Sequence, residues 1–222
     1  LKRCLGFGGP AFAIKRETFA ALGGFRRVIC EDMDMGTRSF IKGVRFNFLS
    51  DLTVYIKVPS SWREWFKQRK RWGIGTAIWL KEYYRDLIKI VRRYPNVLLS
   101  LLLLFPSLPL LFINLFISDE LYVKILYVLL LLISTRISLL LPTMAFTSTA
   151  LFLLKNLFTS ITSLGVYSCI FYVIAKKMDY AFNPLDFTLF YLFYSPLFLL
   201  IVIISIVKVC TNPGRIDIDW KV

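Results

Sequence analysis

Ser61-Trp62-Arg63-Glu64-Trp65-Phe66-Lys67-Gln68-Arg69-Lys70-Arg71-Trp72 stands at the joint between two unlike halves of a 222-residue chain. Ser61 followed three residues on by Glu64 matches a capping box, so the spacing predicts a helix starting near Trp62. On that helix Gln68, Arg71 and Trp72 sit at i, i+3 and i+4 and share a face, joined one turn earlier by Trp65. The face offers an amide, a guanidinium and two indoles. A guanidinium can fork onto a diphosphate, and an indole can lie against the apolar side of a ring. A basic helix resting on lipid would account for the cations and the tryptophans, but not for Gln68 and Arg71 sharing their stripe.

Downstream of this segment the chain turns apolar. Residues 97–118 form an uncharged run of 22, long enough to cross a bilayer. After the acidic pair Asp119-Glu120, residues 121–141 read as a second span, with Lys124 near an end and Arg136 deeper, facing protein or a polar path. Residues 157–175 read as a third, approached by an interfacial or re-entrant stretch over 143–156 that Lys155-Asn156 splits from it. Residues 185–207 read as the fourth. Between Trp72 and the first span, residues 78–94 predict an amphipathic helix lying in the headgroup plane. Trp79, Leu80, Tyr83, Leu87, Ile90, Val91 and Tyr94 lie on one side, and Lys81, Arg85, Lys89, Arg92 and Arg93 on the other.

Composition agrees with a split chain. Hydrophobic residues make up 57%, the mean hydropathy is +0.63 and the net charge is +14, which together exclude both an ordinary soluble domain and a disordered chain. Residues 1–96 hold 20 Lys and Arg against 8 Asp and Glu, while residues 97–222 are close to neutral. The excess of cations places residues 1–96 and 208–222 in the cytoplasm by the positive-inside rule, in a multi-pass protein of the cell membrane. A lipid bilayer is the expected partner of the basic half, and nucleic acid is not, since no separable basic module is present. With no His and no paired cysteine spacing among Cys4, Cys30, Cys169 and Cys210, a zinc site is not expected.

Upstream, residues 1–60 read as the edge of an α/β domain. Arg16 to Leu22 predicts a short helix stopped by Gly23-Gly24. Residues 32–42 predict a second, with Asp34 and Arg38 as an i,i+4 pair and Gly43 as its stop. Residues 44–48 and 53–58 alternate at period two and read as strands. Glu31-Asp32 opens the second helix, where the helix end favours negative charge. An Asp so placed could act as a general base, although an Asp at a helix start is more often only a cap.

The order Phe7-Gly8-Gly9, Gly23-Gly24-Phe25, Glu31-Asp32, then Gln68-x-x-Arg71-Trp72, then membrane helices resembles the C-terminal half of a processive family 2 glycosyltransferase. Cellulose, hyaluronan and poly-N-acetylglucosamine synthases form that group. The resemblance rests on motifs over residues 5–75 and on membrane architecture beyond. It implies an inverting hexosyltransferase that moves a sugar from a nucleotide-sugar donor, a UDP-sugar foremost, to a growing glycan acceptor and couples elongation to export. Asp32 then resembles the catalytic base, with Glu31 beside it; the family often has Thr where Cys30 stands. Gln68, Arg71 and Trp72, with Trp65 on their stripe, resemble the motif lining the acceptor end and the diphosphate. Phe7, Gly8 and Gly9 resemble an acceptor loop, and Trp220 and Val222 the start of a gating loop. The family's Mg2+ or Mn2+ would be bound through a donor-binding N-terminal half that this chain lacks. Asp32-Met33-Asp34 has metal-motif spacing but sits where the base belongs, so no metal ligand is assigned.

The expected organisation follows. Residues 1–60 are the C-terminal part of a cytoplasmic GT-A-like α/β domain. Residues 61–96 carry the Gln-x-x-Arg-Trp helix and the interfacial helix, 97–207 an α-helical transmembrane bundle of about four spans, and 208–222 a cytoplasmic tail. Two rivals stay open: a non-processive transferase acting on a lipid acceptor, and a non-catalytic membrane protein or fragment.

Overall fold

A computed structural model describes residues 3–49, 52–137 and 148–211. Trp220, Val222 and the rest of the tail lie outside the described residues, as does the side chain of Arg136. The chain divides into two compact units, residues 1–101 with 197–222, and residues 102–196.

In the first unit α1 (Arg16–Leu22) ends at Gly23 and Gly24, both at positive φ. Their N–H groups close onto the carbonyls of Ala20 and Phe19, the bond pattern of a Schellman stop that only glycine enters without strain. Helix α2 (Glu31–Ile41) buries Asp34, Met35, Thr37 and Phe40. The capping box starts α3 (Trp62–Arg93) where the sequence predicts: Glu64 N–H donates to Ser61 Oγ at 3.3 Å, and the Glu64 carboxylate reaches back to the Ser60 N–H at 3.1 Å.

Three expectations change here. Among the described residues there is no strand, and residues 44–48 and 53–58 run without sheet pairing. Alternation marks a two-faced extended chain, but a strand exists only with a hydrogen-bonding neighbour. These segments have none, and Tyr55 is 94% exposed. The described fold is therefore helical rather than α/β. Second, the helix expected from Trp62 and the one expected over 78–94 are a single helix, α3, whose 32 residues run unbroken through Gly73 and Gly75. Third, part of the face expected in the headgroup plane packs on α2. Trp79 Nε1–H donates to Thr37 Oγ1 at 2.9 Å, Tyr83 O–H to Asp34 Oδ1 at 2.6 Å, and Phe40 meets the Tyr94 ring at 5.6 Å.

The apolar run over 97–118 is also not one helix. It forms α4 (Val97–Leu104) and α5 (Leu108–Phe116), broken at Phe105-Pro106-Ser107. Pro106 has no N–H to give the carbonyl of Leu102, and its ring turns the preceding residue out of helix. Within the second unit the Tyr167 hydroxyl fills that orphaned carbonyl at 3.1 Å. Here α6 (Asp119–Ile137) packs on α7 (Ser148–Lys177). Lys155-Asn156 does not split the third apolar stretch: α7 runs through it. Lys155, 1% exposed, donates to the Asp119 carboxylate at 2.8 Å and to the Ile117 carbonyl just past the end of α5. Its charge is matched, so it is tolerated inside an apolar helix.

Helix α8 (Pro184–Leu189) passes through a π-helical turn (Phe190–Tyr194) into α9 (Ser195–Thr211). Pro196 cannot supply a four-back bond, and the Ser195 N–H bonds five back to Phe190. Two helical stretches, Ala150–Lys177 and Pro184–Thr211, are long and apolar enough to cross a membrane.

Candidate active site

The candidate site lies in the first unit, where α3 clamps the start of α2. Gly75 lies against Cys30, and a Cβ there would fall 2.2 Å from the Cys30 Sγ. Gly73 is as tightly packed, with Ser205 Oγ of α9 2.8 Å from where its Cβ would be. Each glycine costs α3 about 1 kcal/mol of helix propensity, and that cost accompanies two close approaches that a side chain would block.

Cys30 joins the two motifs. Burial, then the charges of Asp32 and Glu31, push its thiol up to about 12, while Arg71 pulls the other way. Glu31, Asp32 and Arg71 thus all act electrostatically on one sulfur. Because burial raises the folded value above the ordinary 9.0, the thiol's contribution to stability is complete below about pH 9. It is lost as pH climbs toward 12. We expect Cys30 in the folded full-length protein to react with iodoacetamide at pH 8 at least ~100-fold more slowly than after denaturation. Peptide mass spectrometry of the Cys30 peptide checks this; equal rates in the two states would count against a half-buried thiol with a raised pKa.

Asp32 opens α2 with its Oδ1 accepting the Met33 N–H at 2.8 Å. Its Oδ2 faces the loop of Gly8 and Gly9, and a Cβ on Gly9 would come within 2.8 Å of it. The loop is held there by the Phe7 N–H to the Asp32 carbonyl at 3.4 Å, and by Gly36, where a Cβ would strike Gly6 Cα at 2.6 Å. Beside Gly8 there is open space. Phe7 leads into a row of rings, Phe46 at 5.9 Å on one side and Phe12 at 5.0 Å on the other, then Phe25 and Phe19.

Asp34 does different work from Asp32. It is 2% exposed, with Oδ1 accepting from Tyr83 and Arg26 and Oδ2 from the Arg38 guanidinium at 2.9 and 2.6 Å. Burial and the bond to Asp34 push the Tyr83 phenol up to about 12. Arg38 also donates to the carbonyls of Leu22 and Gly24. Asp34 is fully engaged, so Asp32 and Asp34 cannot act together as a metal pair. Among the described residues no three His, Cys, Asp or Glu side chains gather for a metal ion. These residues do not fit the Mg2+ or Mn2+ that the resemblance implies.

Of the stripe on α3, Trp72 keeps 38% of its surface exposed and Gln68 and Arg71 are half-buried, whereas Trp65 is buried at 9% and packs edge-on against Trp62 and Phe66. The structure thus separates the two indoles. Sequence reading missed Thr37, Tyr83, Gly75 and Arg26, and only the Asp34–Arg38 spacing offered a signal for their cluster.

Residues 1–207 match the model of the glycosyl transferase family group 2. The chain belongs to that family. The chain is 32% identical over 85 residues to the protein named probable glucomannan 4-beta-mannosyltransferase 14 of Arabidopsis thaliana, 38% of this chain and 16% of that protein. It is 31% identical over 84 residues to glucomannan 4-beta-mannosyltransferase 1 of Cyamopsis tetragonoloba, 37% of this chain and 16% of that one. It is 25% identical over 116 residues to the protein named probable glycosyltransferase YdaM of Bacillus subtilis, 52% of this chain and 27% of that relative. The chain therefore spans about a sixth of the length of its plant relatives. No solved structure matches it.

Proposed function

We propose that this transferase carries the acceptor side of an inverting, processive glycosyltransferase of the membrane, joining hexose units into a polysaccharide and passing it outward. The observation that carries the reading is the Asp32 carboxylate beside the open Gly8-Gly9 loop. Asp32 takes the proton of the acceptor hydroxyl as that oxygen bonds to the anomeric carbon. The bond from that carbon to the nucleoside diphosphate breaks on the opposite side, and the configuration inverts. Arg71 and Gln68 face the departing diphosphate, where a guanidinium offsets its charge. Trp72 offers its exposed ring to the acceptor sugar.

The names of the plant relatives favour a mannose-containing or related hexose polymer, drawn from a UDP- or GDP-sugar. A divalent cation would be held by residues outside this set. About four spans, with residues 1–96 and 208–222 cytoplasmic, complete the proposed topology.

The test is incubation of the full-length protein in membranes with radiolabelled nucleotide sugars. A long glycan is expected. A single-sugar glycolipid would replace processivity with lipid glycosylation, and no transfer from any donor would remove the enzymatic reading. Trp72→Ala is expected to raise the KM for an oligosaccharide primer about tenfold, the upper range for a ring stacking contact, with the donor KM unchanged. An unchanged primer KM would argue against stacking at Trp72.

A further inference from the structure

We propose that Arg69 is a positioning residue, a caged guanidinium that pins the Trp72 ring so that its exposed surface meets the acceptor sugar in one orientation. The inference rests on the transferase reading of Asp32 and Trp72.

Arg69 stands between Gln68 and Arg71 in sequence, and its guanidinium lies among aromatic rings. Its guanidinium carbon lies 4.1 Å from the centroid of the Trp72 ring, 5.5 Å from Trp65 and 5.3 Å from Phe198. Trp65, Arg69 and Trp72 are spaced i, i+4 and i+7 on α3, so three successive turns stack indole, guanidinium and indole. Phe198 on α9 closes the side, and its ring also meets Trp72 edge-on at 6.4 Å. The Arg69 Nε is buried and finds no hydrogen-bond partner among the described residues. The head group lies against three ring faces, and burial lowers its pKa from the ordinary arginine value without removing the charge.

The chemistry of the cage asks for arginine. A guanidinium is flat, weakly hydrated and able to stack on an indole, whereas an ammonium is a compact, strongly hydrated point charge. An ordinary membrane-surface cation would not need that distinction, and it would keep its polar head in water. Here the head is drawn under the ring that the acceptor uses. Trp72 retains 38% exposure while Trp65, on the other side of Arg69, is sealed at 9%. A ring clamped from one side has less rotamer freedom to lose when a sugar binds, which is how preorganisation strengthens binding without a new contact.

The experiment compares wild type, Arg69→Met, Arg69→Lys and Arg69→Ala of the full-length protein in membranes, with a short oligosaccharide primer and the nucleotide sugar the wild type uses. Arg69→Met keeps the stem and much of its packing. It is expected to raise the primer KM about tenfold, inside the range of a desolvated cation–π contact, with the donor KM and the kcat at saturating primer within about twofold. Arg69→Lys is expected to behave like Arg69→Met. Arg69→Ala should regain at least half its primer affinity in roughly 50 mM methylguanidinium and not in equal methylammonium, because only the planar ion refills the cage. A normal primer KM in Arg69→Met, a Lys variant equal to wild type, or a loss shared equally by primer KM, donor KM and kcat would each overturn the positioning role. If the wild type transfers no sugar, the reading of the whole site falls with it. If the wild type transfers and the Arg69 variants bind primer normally, only the role of Arg69 falls.

Discussion

Asp32→Asn is expected to lower sugar transfer by about 10³-fold, within the usual span for a positioned general base, while nucleotide binding stays near normal. Asn keeps the shape of the side chain and can still accept the Met33 N–H that Asp32 Oδ1 now holds. It cannot take a proton. The loop at Gly9, in contact range of Oδ2, has no reason to move. Steady-state transfer by the full-length enzyme, set beside nucleotide affinity from calorimetry, reads the two effects separately. A normal yield of product from Asp32→Asn would end the assignment of Asp32 as base. A parallel loss of nucleotide affinity would make it a binding residue instead.

Asp34→Ala should do its damage through structure. Its removal leaves Arg38, 15% exposed at the side chain, and the buried Tyr83 hydroxyl without their shared acceptor. Breaking a buried pair by deleting one partner costs roughly 3–5 kcal/mol. The segment between α1 and α2 is tied through the same guanidinium, which also holds the carbonyls of Leu22 and Gly24. Amide exchange across α2 is therefore expected to accelerate by at least ~100-fold, since every 1.4 kcal/mol is a factor of ten. Activity falls with it although Asp32 is intact. Tyr83→Phe removes one bond of the cluster and should show a smaller acceleration in the same place. Unchanged exchange over Glu31–Ile41 in Asp34→Ala would mean that the cluster does not hold α2.

The contrast between Asp32 and Asp34 shows what could be read in advance. Both stand at the start of one helix, two residues apart, with the spacing of a metal motif to which the sequence assigns no ligand. Helical geometry turns one toward the glycine loop and the other into the protein. The partners that decide the second, Arg26 and Tyr83, lie 8 and 49 residues away. Likewise Trp65 and Trp72 are equivalent on the stripe, and packing, with Trp62 and Phe66 edge-on against Trp65, distinguishes the buried indole from the exposed one. Cys30 looked like a simple change from the family's Thr, and its contact with Gly75 is visible only once α3 crosses it.

The sequence by itself determined whatever is settled within a turn or two of helix. It placed the stop of α1 at Gly23-Gly24, the extent of α2 to within a residue, the capped start of α3, and, of the four stretches expected to cross a membrane, the two that form helices long and apolar enough to do so. These rest on caps, left-handed glycines and i,i+4 neighbours, which are local interactions. Tertiary structure decided the rest. It left the alternating segments at 44–48 and 53–58 without sheet pairing, kept α3 whole through two glycines, and gave Lys155 a carboxylate and a carbonyl inside α7. Pairing, burial and charge matching depend on which distant side chains arrive at the same place, and no local pattern encodes that.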